Sequence, residues 1–150
     1  MQDRFKFRSY GRPNSIIEGM QNIYTFEETE GGYFNVKVDK GWLSFVKEED
    51  LKIMQCTGLK DKNGKLIYEG DILDLYVSSK KLYRYEVKYE IGSFMLVSQD
   101  KIFDFPNVWN DNVYPLSQLY YEYQNEENCI YECEIIGNIY ENPELLEKGT

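Results

Sequence analysis

The chain has 150 residues, the length of one ordinary domain, and is long enough to bury about two-thirds of its unfolded surface without disulfides. Hydrophobic residues make up 42% and aromatic residues 16%, with 14 tyrosines, which favours β strands and argues against long disordered stretches. The net charge is −9, from 17 basic and 26 acidic residues, so the field of the chain repels phosphate backbones and disfavours direct binding of nucleic acid.

The numbers of cysteines and histidines limit the cellular compartment that we expect and the classes of catalysis and metal site that are possible. The chain has three cysteines, an odd number with no spacing typical of disulfides: Cys56, Cys129 and Cys133. The amino terminus has no apolar signal segment, so we expect a cytoplasmic protein. No apolar run approaches the ~20 residues that cross a bilayer, which predicts no membrane partner. The lack of histidine excludes Ser-His-Asp and Cys-His catalysis and any zinc site that needs histidine.

The amino-terminal part alternates short apolar segments with turn residues. Phe5 and Phe7 alternate with basic residues between positions 3 and 9, which predicts a first strand with one apolar face and one wet face carrying Arg8. Gly31-Gly32 separates two apolar runs and predicts a hairpin.

A charged stretch suggests a boundary in the chain. Residues 47–50 are Lys-Glu-Glu-Asp, which predicts a brief helical turn between apolar segments. We place an organisational boundary there, so that an amino-terminal β-rich region, 1–50, precedes a carboxy-terminal β-body, 51–150. The same pattern also fits one continuous domain.

The carboxy-terminal part is typical of a β meander. Asn63-Gly64 predicts a tight hairpin, and the β-prone run 72–77 precedes two further strands, 82–91 and 94–97, that are separated by Gly92. Short strands joined by tight turns predict a small barrel-like or strongly curled antiparallel sheet, so that the chain is mainly β with few short helices. Alternation places four apolar residues on one side of the longest strand: Tyr83, Tyr85, Val87 and Tyr89.

The last fifty residues contain the weakest patterns. We expect a loop and one short helix around 117–123, and a helical turn that begins at Asn142-Pro143 with Asn142 as its cap. Alternation from Asn128 onward predicts a strand. Four side chains would pack together on one of its faces: Cys129, Tyr131, Cys133 and Ile135. A zinc site at the two cysteines would need four ligands, and only Cys56 is left to add.

Two stretches, 54–73 and 134–146, resemble the YopX family of phage and prophage proteins. The first runs from Met54 through Gly-Leu-Lys-Asp-Lys-Asn-Gly to Leu73, and the second from Glu134 through Ile-Ile-Gly-Asn-Ile-Tyr-Glu-Asn-Pro to Leu146. The family tends to begin with Phe-Arg-Ala-Trp, and this chain departs from it with Phe-Arg-Ser-Tyr at 7–10. The aromatic residue usual in the family is replaced by Cys56.

The resemblance implies a largely β protein of phage or prophage origin, with no established molecular function, that forms homo-oligomers. It carries over no catalytic, cofactor-binding or metal-binding residues. The residues that match the family enter as signature positions with an expected structural role: Gly58, Asp61, Asn63, Gly64, Gly70, Asp71, Gly137, Asn138 and Pro143.

Several acidic residues lie close together in sequence and raise the alternative of carboxylate chemistry: Asp61, Glu69, Asp71 and Asp74. The structural interpretation is that Asp61 shapes the Asn63-Gly64 turn and that Asp71 binds backbone where a strand begins. Gly137 in a strand indicates a bulge or a close backbone approach. No glycine-rich phosphate loop is present, so we predict no cofactor.

The surplus of tyrosine favours protein contacts, because aromatic side chains are enriched at interfaces. Ordinary core packing explains most of the tyrosines concerned, and the surplus could form such a surface; the candidates are Tyr83, Tyr85, Tyr89, Tyr120, Tyr121 and Tyr123. The leading hypothesis is a non-enzymatic phage or prophage accessory protein in the cytoplasm of a bacterial host, acting through self-assembly and a host or phage protein partner. The alternatives are an acidic protein that mimics nucleic acid and binds a host DNA- or RNA-binding factor, and a carboxylate-based enzyme.

Overall fold

A computed structural model describes residues 5–98, 113–123 and 126–147. It is mainly β, with antiparallel sheets and few short helices, which confirms the predicted fold class at that level. The chain divides into two compact units, Met1–Cys56 and Thr57–Thr150. The division falls within one strand, β5, and not at the charged stretch 47–50.

The N-terminal unit contains an antiparallel sheet in the order β4-β3-β2-β1-β5. Gly31 and Gly32 have φ angles of 83° and 78° in the β2–β3 turn, which confirms that hairpin. The predicted helical turn is a 3-10 helix at Glu48–Asp50. The strands are β1 (Phe7–Gly11), β2 (Gly19–Glu28), β3 (Tyr33–Val38), β4 (Gly41–Lys47) and β5 (Lys52–Lys60).

The predicted alternation of the first strand is wrong. Phe5 and Phe7 are 53% and 37% exposed, whereas Arg8 and Ser9 are 9% and 0% exposed. The strand begins at Phe7 and lies between β2 and β5. A strand with neighbours on both sides can be covered on either face, so alternation in its own sequence does not identify the buried one.

The core of the N-terminal unit covers one face of its sheet. Alternate residues of β3, Val36 and Val38, are buried together with Val46 of β4. Two loop residues, Ile17 and Leu51, complete the buried cluster, and three half-buried side chains pack against it: Ile23, Phe34 and Leu43. The residues of β3 that alternate with these valines therefore project from the opposite face of the sheet.

The C-terminal unit contains the end of β5, which pairs with β6, and a second antiparallel sheet in the order β10-β9-β8-β7-β11. The predicted Asn63-Gly64 hairpin joins β5 to β6, which confirms it. The described elements after β5 are β6 (Leu66–Tyr68), β7 (Asp71–Val77), β8 (Lys80–Glu90), β9 (Ser93–Val97), β10 (Val113–Pro115), α1 (Leu116–Tyr123), a 3-10 helix (Glu126–Asn128), β11 (Cys133–Asn138) and a 3-10 helix (Pro143–Leu146). Helix α1 confirms the helix predicted at 117–123. Among the described residues, no helix is both long and apolar enough to span a membrane.

The second sheet is open, so the barrel-like or strongly curled body is a wrong prediction. A barrel closes only when its outermost strands pair with each other. Here β10 lies at one edge and β11 at the other, and in the described part of the chain each has a single sheet neighbour. The late strand β11 adds beside β7 at the outside of the meander instead of closing it.

The core of the C-terminal unit lies on the predicted face of β8. Tyr85 and Val87 are 1% and 0% exposed, as their alternation predicts, and Tyr83 packs against the same cluster. Tyr89, at the end of the strand, is 52% exposed. The buried cluster also contains Ile67, Leu73, Leu75, Leu96, Leu116, Leu119, Ile130 and Cys133.

The strand predicted from Asn128 onward is wrong before Cys133. Residues 131–132 form a turn, and β11 begins only at Cys133. Cys133 is buried as predicted, but Cys129 is half-buried, Tyr131 is 46% exposed and the intervening Ile130 is fully buried. The turn resets the alternation, so residues on its two sides do not share a face.

Candidate functional site

The signature residue Asp61 organises the central hairpin. Its side chain is 1% exposed, and its Oδ1 atom accepts hydrogen bonds from the N–H groups of Asn63 at 2.9 Å and Lys65 at 3.0 Å. Its Oδ2 atom accepts a third bond, at 3.0 Å, from the N–H of Ile135 in β11. Charge-assisted bonds to three backbone donors compensate the burial of the carboxylate. Asp61 therefore shapes the Asn63-Gly64 turn, as predicted, and also ties it to β11.

The signature pair Gly70-Asp71 closes the turn between β6 and β7. The Oδ2 atom of Asp71 accepts a 2.7 Å hydrogen bond from the N–H of Tyr68, which is the predicted backbone contact. Gly70 has a φ of 85° and donates its N–H to the carbonyl of Val87 at 2.8 Å. Its own carbonyl accepts the N–H of Ile139 at 2.9 Å, so this turn is linked to β8 and to the chain after β11. The remaining signature glycine, Gly58, lies within β5 with a φ of 83°.

The third group of signature residues lies at the end of β11 and just after it. The pairing register of β11 with β7 shifts between Ile135 and Gly137, and a Cβ on Gly137 would lie 2.5 Å from Oδ1 of Asn142. Gly137 therefore marks both a bulge and a close approach, as predicted. Asn138 is 8% exposed, and its Oδ1 atom accepts hydrogen bonds from the next turn of backbone: Tyr140 N–H at 3.0 Å and Glu141 N–H at 2.9 Å.

The helical turn after Asn142 differs in detail from its prediction. Pro143 occupies the first turn of the 3-10 helix, but the side chain of Asn142 forms no capping bond with it. That side chain instead accepts the N–H of Asn138 at 3.3 Å. The signature residues thus fix turns through hydrogen bonds, and Asn142 belongs to the turn around Asn138.

Three of the four acidic residues considered for catalysis, Asp61, Asp71 and Asp74, are held by different partners, and Glu69 is half-buried in the turn between β6 and β7. Asp74 is 3% exposed and forms a bidentate pair with Arg84, at 2.8 Å from Nε and 3.2 Å from Nη2, with Lys81 at 3.8 Å. Arg84 also donates to the carbonyl of Leu145 at 3.0 Å. Asp61 and Asp71 accept backbone N–H groups, as described above. Within the described ranges, no group of three or more Cys, Asp or Glu side chains is placed to hold a metal ion.

The buried thiol of Cys133, in the C-terminal unit, is unreactive near neutral pH. Burial, with a smaller contribution from the negative charge of Asp61, raises the pKa of Cys133 to about 12. Because the thiolate is the nucleophilic form of cysteine, Cys133 stays protonated and unreactive near neutral pH. Its role is packing, as the sequence predicts.

Three of the six tyrosines considered for a contact surface fill the core of the C-terminal unit, as the core-packing interpretation predicts. Tyr85 is buried, and Tyr83 and Tyr120 pack against the core. Of the predicted rings, Tyr89 and Tyr121 are exposed, at 52% and 72%, and the side chain of Tyr123 lies outside the described part of the structure. Most of the large exposed hydrophobic side chains that the structure describes instead belong to the N-terminal unit: Phe5, Phe7, Ile16, Tyr24, Phe26, Tyr33, Trp42, Phe45 and Ile53.

Three of these rings lie on one side of the β3–β4 hairpin. Across the hairpin, Tyr33 is paired with Lys47 and Trp42 with Lys37, and directly paired residues project to the same side of a sheet. The ring of Phe45 makes an edge contact with that of Tyr33, with 6.3 Å between centroids. Since Tyr33 and Lys37 alternate with the buried valines of β3, this side faces away from the core. We call the surface formed by Tyr33, Trp42 and Phe45 the outer face.

The outer face is open to solvent at the edge of the sheet. Trp42 and Phe45 are 60% and 77% exposed, Tyr33 is 38% exposed, and β4 is the edge strand of the N-terminal unit. An open groove of about 700 Å³ begins beside Tyr33 and Lys47. Its lining contains both signs of charge, which selects no single class of ion: Gly31, Gly32, Tyr33, Lys47, Glu48, Glu49, Leu51 and Lys52.

Charge is divided unequally between the two units. Residues 1–56 contain eight basic and nine acidic residues, a net charge of −1, whereas residues 57–150 contain nine and 17, a net charge of −8. The outer face therefore belongs to the nearly neutral unit. This partition, together with Trp42 and Phe45 on a hairpin of the nearly neutral unit, is the signal in the sequence that could have located the exposed rings.

The fold is that of an antiparallel β protein with hydrogen-bonded turns. A family model described as YopX protein matches residues 6–147, so the chain belongs to the YopX family. The solved structure of protein yopX from Bacillus subtilis is similar to this chain, with a TM-score of 0.58 and 19% identity, and the match covers 96% of this chain and 99% of that one. At this identity the likeness shows the fold alone.

A second solved structure and the curated proteins complete the comparison. Protein EF1440 from Enterococcus faecalis is 26% identical, with a TM-score of 0.49, and the match covers 95% of this chain and 97% of that chain. No curated protein matches this chain.

Proposed function

We propose that this protein is a non-enzymatic accessory protein of a phage or prophage, which assembles with itself in the cytoplasm of a bacterial host and acts through protein contacts. The observation that carries the proposal is the concentration of exposed rings on the N-terminal unit, above all Trp42 and Phe45 at 60% and 77% exposed. Exposed apolar surface of this kind marks interaction sites, because water is displaced favourably when a partner covers it.

The side chains of the C-terminal unit support a role without bond-making chemistry. Its buried carboxylates, Asp61, Asp71 and Asp74, accept hydrogen bonds that hold turns or strands in place. A catalytic pair would instead require two acids that face one substrate with different proton affinities. Cys133, with its raised pKa, offers no thiolate near neutral pH. These partners oppose the alternative of a carboxylate-based enzyme.

Sedimentation velocity of the full chain across a wide range of concentration tests the self-assembly. We expect a species heavier than one chain, with a population that rises with concentration. A single species with the mass of one chain at every concentration would contradict this part of the proposal. Raising the salt concentration should change the association little, because exposed rings and not ion pairs drive it.

A second candidate function is mimicry of nucleic acid, favoured by the net charge of −8 on residues 57–150. A surface of this sign attracts the basic grooves of DNA- and RNA-binding proteins. The test is capture from a bacterial lysate, in which a captured nucleic-acid-binding protein must be released by added single-stranded DNA. A variant with several exposed glutamates of the C-terminal unit changed to glutamine is the matched control, and equal capture by this variant would refute mimicry.

A further inference from the structure

We propose that the outer face, formed by Tyr33, Trp42 and Phe45, is the surface through which two copies of this chain associate, an inference that rests on the proposed self-assembly. The three rings share one side of a hairpin, and Tyr33 and Phe45 already contact each other. Large rings that are held rigidly on paired strands provide contact area with little loss of side-chain entropy. The rings are therefore already arranged for contact in the single chain.

The backbone at Phe45 is the most informative feature of this surface. Phe45 has a φ of 59°, a left-handed conformation that bulky residues rarely adopt, and it lies where the β3–β4 register shifts between Phe34 and Val36. The conformation is unfavourable for a residue that carries a Cβ. Because the ring is 77% exposed, its packing within its own chain offsets little of this strain. A function outside the chain, namely contact with a partner, accounts for a strained residue whose side chain points into water.

Charge selects a second copy as the partner. The outer face carries Lys37 and Lys47 beside its rings, and the neighbouring β2 places Glu27 opposite Asn35 on the same side of the sheet. A surface that contains both signs is complementary to itself under a twofold axis, because each lysine of one copy can approach the glutamate of the other. The N-terminal unit has a net charge of −1, so two of these units meet with little repulsion. A polyanion would meet Glu27 beside the rings.

The bulge in β4 determines how the two copies meet. An edge strand can pair with the edge strand of another chain, but a bulge interrupts the regular ladder and bends the strand. Since the bulge carries Phe45 itself, contact through the face is favoured over the addition of one strand to another. The association should therefore depend on side chains and tolerate changes in the hydrogen-bonding groups of β4.

Two substitutions in the outer face test this proposal. Phe45→Asn removes the ring and places at the positive φ a residue that tolerates it, so the fold is preserved. Trp42→Thr removes the second exposed ring and keeps a residue that favours strands. Sedimentation velocity of each purified full-length variant should show a dissociation constant raised by about tenfold or more, because exposed aromatic anchors dominate the energy of such interfaces.

The C-terminal unit supplies closely matched controls. Ile91 also has a positive φ, 52°, and is 89% exposed, so Ile91→Asn repeats the chemistry of Phe45→Asn in the other unit. Tyr121→Gln removes a ring that is 72% exposed on α1. Both controls should leave the dissociation constant within about twofold of the unchanged chain, because a surface side chain outside the interface contributes little.

The outcomes separate this inference from the proposed function. If the unchanged chain is a monomer at every concentration, both fail together. If the chain assembles but Phe45→Asn and Trp42→Thr assemble as tightly, the outer face is not the interface and self-assembly stands. A loss of association in Ile91→Asn or Tyr121→Gln would move the interface to the C-terminal unit. Binding of a fluorescent oligothymidine that is lost in Trp42→Thr would show that the face serves nucleic acid instead.

Discussion

The two units of this chain differ in their buried carboxylates and in their exposed rings. The C-terminal unit buries carboxylates, with Asp61, Asp71 and Asp74 at 1%, 1% and 3% exposed, and surrounds them with donors. The N-terminal unit keeps its valines inside and directs Trp42 and Phe45 into water. Buried and satisfied polar groups specify one arrangement of turns, whereas exposed rings offer surface to a partner. The C-terminal unit therefore contains the buried carboxylates, and the N-terminal unit contains most of the large exposed apolar side chains that the structure describes.

The largest expected effect comes from removing the acceptor at the centre of the C-terminal unit. Asp61→Ala removes three part-buried hydrogen bonds to backbone N–H groups, and a hydrogen bond to a charged group contributes about 1.5–3 kcal/mol. We expect the free energy of unfolding, measured by urea denaturation, to fall by about 3–5 kcal/mol.

An exposed carboxylate in the N-terminal unit is the control for this comparison. Asp39 accepts the N–H of Asn22 at 2.7 Å and the hydroxyl of Tyr24 at 2.8 Å, and the bond from Asn22 lowers the pKa of Asp39. Because Asp39 is exposed, water can replace it, and Asp39→Ala should cost less than about 1 kcal/mol. Equal losses for Asp39→Ala and Asp61→Ala would break the contrast between the units.

A second prediction concerns the close approach at Gly137. Gly137→Ala places a methyl group against the side chain of Asn142, 2.5 Å from Oδ1, and should lower the free energy of unfolding by about 2 kcal/mol. Asn142→Gly removes the obstructing atoms. In the double variant the alanine should therefore cost much less than in the single one, and a double-mutant cycle in urea measures this coupling. Additive costs would mean that another contact limits the space.

Alkaline pH should weaken the C-terminal unit through Cys133. The pKa of this thiol is about 12 in the folded chain against 9.0 for an unburied thiol, so the unfolded chain loses its proton first as pH rises above 9. The stabilisation that the protonated thiol of Cys133 gives to the folded chain is fully present below pH 9. At about 1.36 kcal/mol per pH unit, the free energy of unfolding should be about 2 kcal/mol lower at pH 10.5. Urea denaturation between pH 8 and 10.5 measures it. Cys133→Ala should make this dependence shallower, and the slope that remains is expected from Tyr140, whose pKa is also raised by burial; parallel profiles for the unchanged chain and Cys133→Ala would contradict the assignment.

The smallest effect is a gain in stability at positions where both units carry the same strain. Phe45→Asn and Ile91→Asn each place a tolerant residue at a positive φ and should each raise the free energy of unfolding by roughly 1 kcal/mol, measured where the chain is monomeric. A matching gain in both, with loss of association in only one, would sharpen the contrast between the units. A destabilised Phe45→Asn would show that the ring supports its own sheet.

Local turn chemistry was predictable from the sequence, and burial across strands was not. Asn63-Gly64, Gly31-Gly32 and Asp61 act within a few residues, so their types dictate their conformation. Arg8 is buried although its strand alternates basic and aromatic residues, because what covers each face of a strand is decided by the rest of the fold. The open sheet likewise depends on where β11 adds, a choice that no local pattern records.

The sequence indicates that aromatic rings are exposed, but it does not identify which rings form the candidate surface. A surplus of aromatic residues indicated exposed rings, but counting tyrosines favoured β8 and α1, where Tyr85 and Tyr120 pack inward. The exposure of Phe45 could not be predicted, because it depends on a bulge that is set by pairing with β3. Periodicity within β4 gives no sign of that shift in register.

The hydrogen bond from Ile135 to Asp61 joins residues 74 positions apart and has a consequence for synthesis on the ribosome. Strands β1 to β4 pair with sequence neighbours, and the N-terminal sheet can be complete once β5 has emerged from the exit tunnel. The carboxylate of Asp61 must wait until β11 has been synthesised to receive its third donor. In a nascent chain, the rings of the first unit are therefore presented while the second unit is still unfinished.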